Sequence, residues 1–201
     1  MTDQINPLKI YVLVEEVAIQ ANLALMAYQE LRRLAENPET RQRRELWAYV
    51  QSLLAHTAMI SKFMKPIRNV GLASIRAILL KALLNLEDDS PVFCRGVRDN
   101  VEHLDERIDT WLASEKSILE SVFENRGVYD YLNMPENGEE RRWFVRRVYL
   151  INEDVFISEG RQDLEEIDLT VLATELRRIR DKADAYLDSD QAITIIAPNQ
   201  S

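Results

Sequence analysis

The sequence predicts a mainly α fold: one antiparallel helical bundle, with a small β-hairpin inserted just before the last helix. Three observations predict it. Apolar residues recur in alternating steps of three and four along most of the chain. The 5 Gly and 6 Pro among 201 residues are few, and several prolines sit where that spacing breaks. One segment alone, from Trp143 to Ile157, abandons the helical spacing for β-branched and aromatic residues. Residues 1–190 are expected to form a single domain, with 191–201 a loosely held tail.

From Leu8 to Ala35, Ile10, Val14, Val17, Ala21, Ala24, Tyr28 and Leu31 define one face of a long helix. Pro7 suits its first turn, and Asn37-Pro38 ends the pattern, because the residue before a proline avoids the helical region. A second helix is expected from near Glu39, with Leu46, Val50, Leu53, Thr57, Ile60 and Met64 facing inward until Lys65-Pro66 stops it. So short a break predicts antiparallel packing of the two. Gly71 to Leu86 is apolar nearly all round, which predicts a third helix at the centre of the bundle. Ser90-Pro91 then reads as a cap and first helical position for a fourth helix running to about Ala113, with the stripe Val97, Val101, Leu104, Ile108 and Trp111. Residues 114–132 read as a further helix facing inward through Ile118, Leu119, Val122 and Phe123, followed by a loop at Met134–Gly138. The hairpin is placed at about 143–158, turning at Asn152-Glu153-Asp154. Leu172, Leu176, Ile179, Ala183 and Tyr186 specify the last helix, Leu169 to Leu187.

With 46% hydrophobic and 29% charged residues the chain is globular over most of its length. The 34 acidic residues outnumber the 25 basic ones, and the formal net charge of −9 argues against generic coating by nucleic acid or anionic lipid. A single cysteine, Cys94, excludes an intramolecular disulfide framework, and with only two histidines it excludes a Cys/His zinc cage within one chain. The start lacks the basic and apolar regions of a signal peptide, and no apolar run of about 20 residues is evident, so no membrane association and a cytoplasmic location are expected. Nothing in the sequence calls for a cofactor or a metal. It has no phosphate-gripping glycine loop, nucleotide fingerprint, serine elbow or histidine pair at metal spacing.

The densest polar cluster is Arg98-Asp99-Asn100-Val101-Glu102-His103, continued by Asp105, Glu106, Arg107 and Asp109. Arg98, four intervening residues and His103, with Asp99 and Asn100 directly after the arginine, resemble the R-x(4–6)-H signature of the HEPN superfamily. That resemblance implies an all-helical bundle of four or five helices, often dimeric, and in many members a metal-independent endoribonuclease. It implies a site built from Arg98 and His103 and supported by Asp99 or Asn100. On a continuous helix, residues five apart point about 140° apart. Arg98 and His103 would therefore meet only if the arginine stem wraps around, or if two chains meet across a two-fold axis, which predicts a homodimer.

RNA cleavage without a metal requires a group that exchanges protons near neutral pH and a fixed positive charge at the phosphorus centre. His103 suits the first role and Arg98, through its planar fork, the second. The plainer alternative is an Arg98–Glu102 ion pair on a solvated helix and a non-catalytic interaction or regulatory module that acts with a partner protein, while an inhibitor protein is a further expected partner beside an RNA substrate. Glu102, Asp105, Glu106 and Asp109 read as a charged solvent face, His56 as a packed or hydrogen-bonded structural residue, and Cys94 as a small buried apolar group. Arg141, Arg142, Arg146 and Arg147, interleaved with Trp143, Phe144 and Val145, could grip RNA phosphates. The favoured reading of that stretch is an edge strand protected by charge.

Overall fold

The computed structural model describes residues 5–39, 42–94, 103–133, 143–159 and 164–189. Helix α1 spans Pro7–Ala35, α2 Arg43–Met64, α3 Leu72–Leu84, α4 Leu104–Leu112, α5 Arg126–Asn133 and α6 Leu169–Leu187. Strands β1 (Ser117–Phe123), β2 (Trp143–Leu150), β3 (Val155–Glu159) and β4 (Leu164–Asp168) form one four-stranded mixed sheet in the order β1-β2-β3-β4. The fold is mainly α, as the spacing predicts, but the hairpin is the middle of a sheet rather than an isolated insertion.

Asn6 caps α1 by accepting the Lys9 backbone N–H through its side chain at 2.9 Å, and Pro7 takes the first turn, where its missing N–H costs no bond. The inward face of α1, including Val14, Val17, Ala21, Leu31 and Leu34, packs between α2 and α6. Leu46, Leu53 and Ile60 come from α2 and Leu172, Leu176 and Ile179 from α6, all buried in the same core. One face of the sheet closes that core through Tyr149, Ile151, Phe156 and Ile167. The opposite face carries Val148, Leu150 and Ile157, covered by Tyr129 of α5. Alternation along β2 and β3 thus feeds two apolar layers, which is why both parities of this stretch are hydrophobic.

Several expectations are corrected. The segment read as a helix over 114–132 is strand β1 followed by the short helix α5. Ile118, Leu119, Val122 and Phe123 satisfy helical and extended patterns alike, and a parallel partner, β2, is available to β1. The helix expected from Pro91 to Ala113 is not continuous: a 3-10 turn spans Pro91–Phe93, Cys94 is extended, and α4 begins only at Leu104. Residues 95–102 lie outside the described residues, and α4 has no fully buried side chain. Helix α3 is not the centre. It buries Ala77, Leu80 and Leu84 but leaves Leu72, Ile75 and Ile78 exposed, since an all-round apolar helix does not announce which face finds a neighbour. Strand β4 was not anticipated, because Leu164-Glu165-Glu166-Ile167-Asp168 buries only Ile167. Finally, α1 has the length and apolar content of a membrane-crossing helix, with a window of mean hydropathy 1.5, contrary to the expectation of no such run. Its alanines and exposed aliphatics raise the average, while its other face packs on α2 and α6.

Asp154 joins three of these elements. It ends the β2–β3 turn with φ of 54°, a left-handed conformation that Asp tolerates better than most residues. Its carboxylate accepts the Tyr28 hydroxyl at 2.7 Å, the Tyr149 hydroxyl at 2.8 Å and the Thr170 hydroxyl at 2.9 Å, and pairs with Arg32 at 3.3 Å. The Leu169 N–H donates to its backbone carbonyl at 2.9 Å. Burial, then the Asp154 charge, pushes the Tyr149 hydroxyl pKa far above the usual tyrosine value, so it stays neutral, donating to Asp154 and accepting from Arg32 Nη1 at 3.4 Å.

Candidate functional site

His103 stands at the N-cap position of α4, with φ of −123° and ψ of 29°, outside the helix proper. The separation of about 140° expected on a continuous helix assumes helical dihedrals at His103, which it does not have. Its side chain is 44% exposed, and Nδ1 lies 3.1 Å from Glu106 Oε2. A carboxylate at that distance favours the tautomer with the proton on Nδ1 and leaves Nε2 as the nitrogen that can exchange a proton with a ligand. Glu106 is a partner that the sequence reading passed over as part of a solvated acidic face. The i,i+3 spacing was the available signal. Arg98, Asp99 and Asn100, the other residues of the motif, lie outside the described residues.

Arg141 and Arg142 also lie outside the described residues, whereas Arg146 and Arg147 are on β2. That strand is interior, paired in parallel with β1 and antiparallel with β3, so the edge-strand reading of its arginines is overturned. The β1–β2 register advances by one residue on β1, Leu119 to Glu120, and by two on β2, Val145 to Arg147. Arg146 is the extra residue of a β-bulge. Val145 and Val148 consequently share one apolar layer despite their odd separation.

The bulge has a chemical consequence. Successive residues of a regular strand point to opposite faces, but here both arginines reach one carboxylate. Arg147 donates through Nε and Nη2 to Glu120 Oε1, at 3.0 and 2.6 Å, and Arg146 Nη2 lies 2.7 Å from Glu120 Oε2. All three side chains are largely buried. Desolvation first, then the like charges of Arg147 and Arg43, hold the Arg146 pKa below the usual guanidinium value. Glu120 was missed by the sequence reading because it falls within the segment read as a helix. Its signal was a single acid inside Ser117-Ile-Leu-Glu-Ser-Val-Phe123.

The second histidine behaves as expected. His56 Nδ1 lies 2.8 Å from Gln20 Oε1, and burial lowers its pKa. Cys94 is half-buried against the main core, and no cluster of three or more His, Cys, Asp or Glu side chains suited to a metal occurs among the described residues. No protein-family model, curated protein or solved structure matches this chain.

Proposed function

We propose that this chain is a HEPN-like, metal-independent endoribonuclease acting as a homodimer, with Arg98 and His103 at the cleft between protomers and Asp99 or Asn100 orienting them. The observation that carries the reading is the accessible His103 imidazole, held through Nδ1 by Glu106 at 3.1 Å. In the reaction, His103 Nε2 takes the proton of a ribose 2′-hydroxyl. The 2′-oxygen attacks the adjacent phosphorus, the P–O5′ bond breaks, and the departing 5′-oxygen takes a proton from water while the His103 imidazolium returns its own to solvent, leaving a 2′,3′-cyclic phosphate. Arg98 neutralises the nonbridging oxygens as charge builds on them. The packing of α1 against α2 and α6 makes a helical core, which supports this reading.

The test is incubation of the purified protein with structured and unstructured RNA in chelator. Wild type should yield cyclic-phosphate ends. His103→Ala and Arg98→Ala should each lose on the order of 100-fold or more in rate, the scale of a missing proton-transfer group. Glu106→Gln should lose less. Equal products from all four proteins overturn the reading.

A second reading, a non-catalytic module that works through self-association, is favoured by the apolar surface around α3. Ile67, Val70 and Ile78 are 79%, 73% and 69% exposed, with Leu72 and Ile75 beside them in sequence. Exposed aliphatic side chains so close in sequence are the kind of surface a second copy would cover. A dimer that Val70→Glu and Ile78→Glu convert to folded monomer, in a protein without RNase activity, would select this reading.

A further inference from the structure

We infer that the groove between the start of α2 and the β1–β2 bulge is a binding site for a phosphate dianion, free or as the monoester of a small organic phosphate. This assignment is independent of whether His103 cleaves RNA. The groove has a volume of about 570 Å³ and is lined by Arg43, Arg44, Trp47, Glu120 and Arg147 among others. That volume falls within the range of small-ligand sites.

Three features point to an oxyanion. The first is charge. Arg43 donates to the Glu120 backbone carbonyl, Arg146 and Arg147 hold the Glu120 carboxylate, and Arg44 is exposed with no ion pair among the described residues. Three guanidiniums, those of Arg43, Arg44 and Arg147, thus line the groove beside one carboxylate, in a chain whose formal net charge is −9. Both Glu120 oxygens are already engaged, so that carboxylate acts as a tether that positions Arg146 and Arg147, and donor capacity remains for a guest.

The second feature is unmet hydrogen bonding. The indole Nε1–H of Trp47, more than nine-tenths buried, and the Nε–H of Arg146 have no hydrogen-bond partner among the described residues. Buried donors left unpaired are costly, and Trp47 itself lines the groove. The Arg147 guanidinium lies 4.4 Å from the Trp47 ring centroid, which holds its planar fork in place.

The third feature is the helix end. Gln42 at the N-cap makes no side-chain capping bond, and the first two helical residues are Arg43 and Arg44. Basic side chains on the positive end of a helix dipole oppose folding locally, and an anion seated there reverses the sign of that interaction. The same stretch, Arg41-Gln-Arg-Arg44, shows only as a basic run in the sequence. The meeting of Arg43 with Arg146 and Arg147 around Glu120 is made by the tertiary fold.

The test is calorimetric titration of the full chain, at constant ionic strength in chloride, with inorganic phosphate, with adenosine 5′-monophosphate and with adenosine. The phosphate-bearing ligands should bind saturably and adenosine should not. Tighter binding of the nucleotide than of inorganic phosphate would place an organic monoester in the groove, and the reverse would place free phosphate there. Arg44→Gln and Arg43→Gln should each weaken binding about tenfold, as expected for loss of one charge-assisted contact. Arg180→Gln, on α6, should not. Because Arg44 makes no ion pair among the described residues, its variant keeps the fold, and thermal denaturation verifies this. Absence of saturable binding by either phosphate ligand, or affinities unchanged in both Arg43→Gln and Arg44→Gln, overturns the assignment.

Discussion

Replacing Asp154 by asparagine preserves side-chain shape and keeps a residue type that accepts φ of 54°, while removing the charge on which the network depends. In the native protein Oδ2 accepts the hydroxyls of Tyr28 and Thr170, and Oδ1 accepts the hydroxyl of Tyr149 and faces Arg32. An amide offers one acceptor end only, so a hydroxyl must reorient or go unpaired, and the buried side of Arg32 loses its counter-charge. Charge-assisted bonds contribute about 1.5–3 kcal/mol each, and breaking a buried pair costs about 3–5 kcal/mol, so Asp154→Asn should lose roughly 3 kcal/mol. Asp154→Gly removes the whole carboxylate at no steric cost in the left-handed region, and Asp154→Ala adds about 1 kcal/mol of backbone strain on top. For a chain of this size, 3 kcal/mol lowers Tm by about 6–12 °C. Urea denaturation of the four proteins, with m values compared, reads the series directly. Asparagine within about 0.5 kcal/mol of wild type, or alanine more stable than glycine, would refute the keystone role and the backbone argument respectively.

Other outcomes follow from the same contacts. Arg178, then Ser90, hold the Glu175 carboxyl below its ordinary range, so its stabilising effect is present above about pH 4.5 and fades as pH falls through the lower folded value. Glu175→Gln should flatten the acid limb of the stability curve. Burial lowers the His56 pKa, so the unfolded chain takes the proton first as pH falls below about 6.5, and stability declines in that window. NMR titration should find His56 below the free imidazole value, and His56→Gln should remove that part of the pH dependence. Glu120→Gln leaves two largely buried guanidiniums facing each other and should cost about 2–4 kcal/mol in denaturant unfolding. Arg146→Met added to it should restore part of the loss, and strict additivity would show that the three groups are not coupled.

Much of the helical frame was legible in the residues. The stripes of α1, α2 and α6 repeat over five or more turns, and Pro7 and Lys65-Pro66 mark ends that the structure keeps. The hairpin was legible too, because Trp143 to Ile157 is rich in residues that suit a pleated strand and Asn152-Glu153-Asp154 supplies its turn. Strand β1 was not. Seven residues with apolar side chains at Ile118, Leu119, Val122 and Phe123 fit either period, and the choice was made by β2, which lies more than twenty residues away in sequence. The candidate site divides in the same way. His103 was found from its neighbours in sequence, but its N-cap position and its contact with Glu106 depend on where α4 begins. Arg146 and Arg147 were noticed as a basic run, yet a bulge and a carboxylate on another strand determine what they hold.

Local order in this chain determined what each segment is. Periodicity, capping side chains and prolines act through bonds and contacts within a few residues, and those are written directly in the sequence. Tertiary packing decided which faces are used: α1 rather than α3 at the centre, β2 inside rather than at the edge, and Glu120 among arginines from two other elements. Burial and charge pairing join groups far apart along the chain, and no local pattern ranks the faces that compete for them until the whole chain has closed.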